Sequence, residues 1–314
     1  MDFSIVIPLY NKAEYITKTL RSVMMQTYPR FEVLVVDDGS TDKSLEVVRS
    51  LSQEDARIKV ITQSNQGVSS ARNTGIRAAQ YELIALLDGD DWWDTRYLEE
   101  MVGLIQEYPS VSVYSTQCAL VYQGAPYPSK EILAENAKKT ACFDCFQIGI
   151  TLKYLPYNSS CIIIRKGILQ QTELFDERIS FFEDQDLFIR ICALSQLAYI
   201  EKGPLSFYNK DIPDDRRTTG QTPALEKHLL YYTEKFEPYY ALNPNLRVFL
   251  SIFTLNGLYD LRFCSNYKSF KREKLKNIPL KMFSLHHLIK YYCPGFVTDF
   301  LRKVYLWAKK SPYS

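Results

Sequence analysis

The sequence predicts an α/β protein built on a mostly parallel sheet. Short apolar runs alternate with segments of helical periodicity through the first third of the chain, the pattern of successive β-α units. The run 83–87 is apolar without polar alternation, as expected of a strand buried on both faces, and Asp88, Asp90 and Asp91 follow it at once. Because ligands of open α/β sheets bind at the carboxyl ends of the strands, we expect a site at this acidic cluster.

The first third of the chain contains four strand-helix pairs. Apolar runs predict strands at 3–8, 31–36, 57–61 and 83–87, and helical periods follow them at about 11–26, 45–51, 68–80 and 94–106. Asn11 and Glu14 stand three residues apart at the start of the first helix, a spacing that predicts a capping box. Asp94 is a suitable N-cap for the fourth helix. The alternation predicts parallel pairing through right-handed crossovers.

The middle of the chain is less regular. Strands are predicted at 111–115, 119–122 and 161–164, a variable insertion at about 126–140, and a helical turn at 166–171. A second acidic cluster, 183–186, opens a helix whose Leu187, Ile191 and Leu194 are expected to face inward. Carboxylates favour helix N-termini, so capping is the simpler interpretation of this cluster. The polar loop 209–221 is either a linker or a basic flap over a diphosphate.

The C-terminal region is predicted to be helical and basic. Helical periods occur at 224–237, 245–263, 280–292 and 296–310. From Arg262 to Ser314, twelve Lys or Arg oppose two acidic residues, although the whole chain carries a net charge of only +2. The last helix is amphipathic with a basic polar face, which suits either peripheral contact with an anionic membrane or packing on the α/β domain. No motif favours nucleic acid as a partner.

Several further features bound the class of protein. No apolar run is long enough to span a bilayer, and a strand begins almost at Met1, so we expect a cytoplasmic protein without a signal peptide, peripheral at most to the inner face of the plasma membrane. Seven Cys with scattered spacing predict free thiols, although Cys142 and Cys145 form a Cys-x-x-Cys pair. Neither a Gly-x-Gly-x-x-Gly fingerprint nor a Walker loop is present, so the phosphates of a nucleotide would need a different binding group.

Asp88 and Asp90 could bind phosphates through a metal ion. Two carboxylates on either side of Gly89 can converge on one hard divalent cation, which keeps positions for water or phosphate oxygens. The same residues suit a solvated turn, because Asp and Gly are common turn formers. The Asp-x-Asp pattern alone leaves both interpretations open.

Four motifs in order favour the metal interpretation. They are Ser4-Ile-Val-Ile-Pro-Leu-Tyr-Asn11, Val35-Val-Asp-Asp-Gly-Ser-Thr-Asp42, Asn65-Gln-Gly-Val-Ser-Ser-Ala-Arg-Asn-Thr-Gly75 and Leu87-Asp-Gly-Asp-Asp-Trp92. Together they resemble the family-two glycosyltransferases, inverting enzymes with the nucleotide-sugar-binding GT-A fold. The resemblance covers 1–120 closely and 158–208 loosely. It implies a GT-A catalytic domain at 1–215, with a nucleotide-binding half at 1–120 and an acceptor half at 121–215, followed by a helical region at 216–314.

The resemblance implies a donor-binding role for several matched positions. Pro8 and Tyr10 are expected to line the base pocket. Asp38 is expected to accept the N3–H of uracil, although thymine carries the same group. Asn65 and Arg72 are expected to hold the base, ribose or phosphate of the nucleotide sugar.

The remaining matched positions belong to the reacting end of the site. Asp88, Gly89 and Asp90 form the family's Asp-x-Asp motif, which is implied to contact the ribose and, chiefly through Asp90, to bind Mn²⁺ or Mg²⁺ on the diphosphate. Asp184 matches the catalytic base. Glu183 is expected to orient Asp184 or to bind the acceptor, and Trp92 either lines the site or anchors its loop.

The function predicted is an inverting glycosyltransferase of the hexosyltransferase class. A cation would neutralise the leaving diphosphate while a carboxylate deprotonates the acceptor hydroxyl, with no covalent intermediate. We expect a UDP-sugar donor and a glycan or lipid-linked acceptor in bacterial cell-surface polysaccharide synthesis. The alternatives are a sugar nucleotidyltransferase, whose Gly-rich phosphate loop is lacking, and a non-catalytic nucleotide-sugar-binding scaffold. The sugar, the linkage and the oligomeric state stay open.

Overall fold

A computed structural model describes residues 1–129, 131–133, 139–152, 154–179, 182–212 and 235–260, with side chains to residue 253. The chain divides into two compact units, Met1–Phe249 and Leu250–Ser314. The first unit contains both sheets and all the predicted site residues. The described part of the second unit is the end of one helix.

The first unit contains an eight-stranded and a four-stranded sheet. The strands are β1 Phe3–Leu9, β2 Phe31–Asp37, β3 Ile58–Thr62, β4 Leu83–Leu86, β5 Trp92–Trp93, β6 Val113–Thr116, β7 Cys118–Tyr122, β8 Ala125–Pro128, β9 Thr140–Phe143, β10 Ile162–Arg165, β11 Leu197–Ile200 and β12 Ser206–Asn209. The large sheet has the order β3-β2-β1-β4-β10-β6-β11-β9, and the small sheet has the order β5-β12-β7-β8. Strands β3, β2, β1 and β4 are parallel, whereas β10 is antiparallel to both of its neighbours. The sheet is therefore mixed and mostly parallel, as predicted.

Helices flank the large sheet. Their bounds are α1 Ile16–Met24, α2 Ser44–Glu54, α3 Val68–Ala78, α4 Tyr97–Glu107, α5 Cys145–Leu152, α6 Lys166–Thr172, α7 Glu183–Leu194 and α8 Pro244–Asp260. Helix α3 packs on β1 and β2, and Gly75 permits the close approach because a Cβ there would overlap Val6 Cγ1. Strands β1 and β2 are buried along nearly their whole length, so both faces of the sheet are covered.

Three local predictions were wrong. Asn11 does not cap α1. Its backbone is left-handed, with φ of 52°, and its side-chain oxygen accepts instead from Thr41 N at 2.8 Å. Asp94 is not the N-cap of α4, which begins at Tyr97 after Arg96; Asp94 Oδ1 accepts from Arg96 N at 2.9 Å in the turn before the helix. Leu194, at the end of α7, is 44% exposed, whereas Leu187 and Ile191 are buried as expected.

The C-terminal predictions are tested only in part. Helix α8 matches the helix expected at 245–263. The helices expected at 280–292 and 296–310, and the boundary expected at 215, lie outside the described residues. Within those residues, no helix is both long and apolar enough to cross a membrane.

Candidate active site

The predicted donor-site residues lie at one edge of the large sheet. Phe3 is aligned with Phe31 on β2 and with Leu83 on β4, so these three parallel strands begin at the same level. Strands β1 and β2 end together, and β4 ends level with Val6, so the segment after β4 continues along β1 toward the same edge. The segments after them begin at Tyr10, Asp38 and Leu87. Parallel pairing therefore brings three of the four sequence motifs to one place.

Asp38 is buried and organises the loop that follows β3. Its Oδ1 accepts from Gln66 N at 2.9 Å and from Gln63 Nε2 at 2.8 Å, and its Oδ2 accepts from Gly67 N at 2.8 Å. Gly67 has a φ of +93°, which favours glycine, and it directly precedes α3. Asp38 thus connects the end of β2 to the start of the helix that carries Arg72.

This edge of the sheet also carries Pro8, Tyr10 and Asn65, which differ in their exposure to solvent. Pro8 is partly buried on β1, whereas Tyr10 is 45% exposed and Asn65 is also exposed. The backbone N of Asn65 lies 3.0 Å from where a Cβ of Gly39 would stand, so the loops after β2 and β3 are in contact. The two exposed side chains are accessible to a ligand.

Asp88 and Asp90 each have a basic partner from elsewhere in the chain. Arg72 Nη2 donates to Asp88 Oδ1 at 2.7 Å, and Lys12 Nζ lies 2.5 Å from Asp90 Oδ2. Between them, Gly89 lies against the backbone of β1, where a Cβ would stand 3.1 Å from Pro8 O. Burial raises the pKa of Asp90, and the Lys12 ammonium opposes that rise.

Arg72 joins the Asp-x-Asp motif to α7. Its Nη1 donates to Glu183 Oε1 at 3.0 Å, and its side chain is only 4% exposed. Burial lowers the pKa of Arg72, but Asp88 and Glu183 outweigh this effect and raise it, so the guanidinium stays charged. One buried cation therefore holds two carboxylates from separate parts of the chain.

Asp184 follows Glu183 in the first turn of α7 and is partly exposed. Burial and the neighbouring Glu183 carboxylate raise the pKa of Asp184 to about 7, and Arg72 opposes them. Such a pKa suits a general base near neutral pH. The residue before the helix, Phe182, has a φ of 60°, an uncommon backbone conformation for a bulky side chain.

Asp91 and the two tryptophans mainly connect the large sheet to the small one. Asp91 is fully buried and accepts from Ser160 Oγ at 2.5 Å and from Asn209 N at 2.8 Å. Trp93 is also buried and donates from Nε1 to Ser160 O at 2.6 Å. Trp92 stacks on Phe207 with 5.7 Å between centroids, and Lys18 Nζ lies 2.9 Å from the centre of its ring. Trp92 is thus held by packing within the chain at the border of the site.

Sequence reasoning missed the two cationic contacts of the acidic motif. Lys12 directly follows the Tyr-Asn pair of the first motif, and the need of a buried carboxylate for a counter-charge is the signal that points to it. Arg72 was identified, but its contact with Glu183 was not. That contact spans 111 residues and depends on the tertiary fold.

The residues present fit a divalent cation bound jointly with a ligand. Asp88 and Asp90 offer hard oxygen donors, and each keeps a second carboxylate oxygen beyond the one its basic partner contacts. Within the described ranges, no group of three or more His, Cys, Asp or Glu is arranged to hold a metal. A cation at Asp88 and Asp90 would accordingly need further oxygens from a diphosphate or water.

Comparison with known proteins finds similarity to glycosyltransferases. Residues 4–154 match the family model described as glycosyl transferase family 2. The glycosyltransferase EpsJ of Bacillus subtilis, described as uncharacterized, is 28% identical over 230 residues, covering 72% of this chain and 66% of EpsJ. This chain spans between 15% and 66% of the length of the first curated relatives it matches.

Two solved structures share the fold. Residues 1–349 of TarS from S. aureus, in complex with UDP-GlcNAc, match with a TM-score of 0.69 at 20% identity over 100% of this chain and 93% of that one. The mannosyltransferase PcManGT from Pyrobaculum calidifontis, in complex with GDP-Man and Mn²⁺, matches with a TM-score of 0.60 at 16% identity over 99% of this chain and 81% of that one. At such identities the likeness shows the fold alone, and it confirms the predicted GT-A architecture.

Proposed function

We propose that this chain, whose residues 4–154 belong to glycosyl transferase family 2, transfers a sugar from a nucleoside-diphosphate donor to a hydroxyl group with inversion at the anomeric carbon. The observation that carries the proposal is the Arg72 bridge. It holds Asp88 of the Asp-x-Asp motif and Glu183, the neighbour of the candidate base, on one guanidinium. The bridge would bring the proposed metal-diphosphate site close to the proposed base, whose pKa is about 7.

Donor binding would use the edge formed by β1, β2 and β4. The exposed ring of Tyr10 is available for the base, and Asp38 supports the loop 63–67 that would contact it. We favour a UDP-sugar, because the resemblance assigns the N3–H of uracil to Asp38. The UDP-GlcNAc in the TarS complex is consistent with this choice, whereas the GDP-Man in the PcManGT complex shows that the fold also accommodates guanine.

The leaving group requires positive charge. A divalent cation held by Asp90 and Asp88, Mn²⁺ or Mg²⁺, would neutralise the diphosphate as its bond to the sugar breaks. Arg72 orients Asp88, since its guanidinium donates a charge-assisted hydrogen bond to that carboxylate at 2.7 Å. Lys12 Nζ contacts Asp90 Oδ2 at 2.5 Å and is the counter-charge of that carboxylate.

Asp184 would act on the acceptor. In its ionised form it takes the proton of the acceptor hydroxyl while the hydroxyl oxygen forms its bond to the anomeric carbon and the bond to the diphosphate oxygen breaks. One displacement on one face inverts the configuration. The raised pKa keeps the proton affinity of Asp184 high enough for the transfer near neutral pH.

The acceptor class is inferred from the relatives and the basic tail. We infer a glycan or lipid-linked acceptor in polysaccharide synthesis, with the enzyme in the cytoplasm. The tail that would bring the enzyme to the membrane lies outside the described residues.

Nucleotide binding is the first test. Calorimetric titrations with UDP, GDP, dTDP and CDP, each with Mn²⁺ and then with EDTA, should give micromolar binding of UDP that EDTA abolishes. Positive binding justifies a screen of UDP-sugars for transfer to glycan and lipid-linked acceptors. Absence of binding to every nucleotide would contradict the proposal and favour a scaffold protein without turnover.

A further inference from the structure

Lys12 forms the shortest ion pair of the donor site. Its Nζ lies 2.5 Å from Asp90 Oδ2, and both side chains are largely buried, with 18% and 15% exposed. Asp90 is the residue expected to contribute most to a divalent cation. An ammonium group of the chain therefore already contacts the carboxylate that the cation would use.

The backbone around Lys12 is held in place for this contact. Asn11 adopts a left-handed conformation, and its side-chain oxygen accepts from Thr41 N at 2.8 Å. Lys12 N donates to Ser44 Oγ at 2.7 Å, and the next backbone N, of Ala13, donates to Asp42 Oδ2 at 3.1 Å. Several hydrogen bonds thus fix the turn after β1 against the loop after β2, and the fixed turn aims Lys12 at the Asp-x-Asp motif.

Two positive charges cannot share Asp90 without cost. A divalent cation bound at this carboxylate would repel the Lys12 ammonium at a distance of a few ångströms, where burial weakens the screening. The flexible four-carbon stem of lysine allows the ammonium to withdraw, but it must then find other negative charge. A nucleoside diphosphate supplies that charge beside the same cation.

We propose that Lys12 is an internal competitor of the divalent cation at Asp90, so that the cation binds tightly only when a nucleoside diphosphate is present. This inference rests on the proposed function. Binding of cation and nucleotide would be coupled, and each would raise the affinity for the other by the same factor. The protein would then avoid capturing a cation at an empty donor site.

Electron paramagnetic resonance of free Mn²⁺ tests the competition without a turnover assay. Mn²⁺ is titrated into the wild-type protein, Lys12→Met and Lys12→Gln, each with and without saturating UDP. A titration of Mn²⁺ into UDP without protein corrects for the Mn²⁺-UDP complex that forms in solution. In the wild type, UDP should tighten Mn²⁺ binding by about tenfold or more. Both neutral variants should already bind Mn²⁺ about tenfold more tightly than the wild type in the absence of UDP. The gain from UDP should shrink by the same factor in these variants, and the part that comes from ligation of Mn²⁺ by the diphosphate should stay.

Two control variants separate this effect from a general loss of charge. Lys12→Arg keeps the positive charge and should behave as the wild type. Lys202→Met removes one charge from a surface ion pair with Glu100, which lies outside the predicted site, and should leave both titrations unchanged. Thermal unfolding shows whether the variants are folded, and Lys12→Gln replaces Lys12→Met if the latter is not.

The outcomes distinguish the inference from the proposed function. If the wild type binds Mn²⁺ and both neutral variants bind it with the same affinity, the proposed role of Lys12 is overturned and the proposed function still stands. A wild type that binds UDP but no Mn²⁺ under either condition would overturn the metal assignment and the inference together.

Discussion

Arg72 Nη1 donates to Glu183 Oε1 at 3.0 Å, a contact between residues 111 positions apart in the chain. The other terminal nitrogen of the same guanidinium contacts Asp88 at 2.7 Å. Burying a guanidinium is unfavourable unless carboxylates compensate it, and here two do so. The bridge connects the Asp-x-Asp motif to the helix that carries Asp184.

Asp184→Asn should separate donor binding from transfer. Asparagine has nearly the same shape but cannot accept a proton, so transfer should fall by about a thousandfold or more. The affinity for the nucleotide should stay within a few-fold of the wild type, because Asp184 lies on α7 rather than at the sheet edge. Calorimetry and a sugar-transfer assay measure the two quantities, and near-normal turnover would remove Asp184 as the base.

The same variant should become more stable than the wild type as the pH rises. Burial raises the pKa of Asp184 from 3.8 in the unfolded chain to about 7, so the native state holds the proton longer and loses stability between about pH 4 and 7. Asparagine removes this loss of unfolding free energy, which amounts to a few kcal/mol because each pKa unit corresponds to about 1.4 kcal/mol. Urea unfolding at pH 5 and pH 8 measures the difference, and an equal effect at both values would contradict the raised pKa.

Asp90→Ala should abolish metal-dependent donor binding. The substitution removes a carboxylate oxygen donor, and Asp88 alone leaves the cation with too few protein ligands. UDP affinity in Mn²⁺ should therefore fall to the level measured in EDTA. Asp94→Ala, four residues away and paired with Arg96 near the surface, is the matched control and should bind as the wild type. Wild-type affinity of Asp90→Ala for UDP in Mn²⁺, lost when EDTA is added, would exclude Asp90 as a ligand.

Asp38→Asn should weaken both the fold and nucleotide selectivity. The amide group places hydrogens toward Gln66 N or Gly67 N, where the carboxylate accepts, and should cost about 1 to 3 kcal/mol of unfolding free energy. If Asp38 also accepts from uracil, the preference for UDP over CDP should decrease in the folded variant. Denaturant unfolding and calorimetry report the two effects separately, and an unchanged preference would confine Asp38 to a structural role.

Lys235→Met should destabilise the region around α7. Lys235 Nζ lies 2.5 Å from Asp186 Oδ1 and 2.9 Å from Asp176 Oδ2, and Asp186 is fully buried. Arg190 stays bound to Asp186 at 2.6 Å, so the loss should be about 2 kcal/mol, less than for a buried carboxylate left unpaired. Lys202→Met, at an exposed pair, should change stability by less than about 1 kcal/mol. Equal stability of the two variants would show that the buried ion pair contributes little.

The sequence by itself determined the fold class and the position of the acidic motif of the candidate site. Alternating apolar runs and helical periods predicted the order from β1 to α4, and burial of both sheet faces requires this pattern. The carboxylates at 88–90 had to lie at the end of β4, because they directly follow it in the chain. The role of Asp184 came from resemblance, since capping of α7 explains the same residues equally well.

Only the tertiary structure decided how these residues are paired. Asn11 was predicted to cap α1, but it binds the loop after β2 because parallel pairing places the two strand ends side by side. The contacts of Arg72 with Glu183 and of Lys12 with Asp90 join segments far apart in the chain. Local periodicity reports which face of an element is buried, but not which distant charge will neutralise a buried carboxylate. That choice depends on strand register and packing, which bring together groups that the sequence keeps apart.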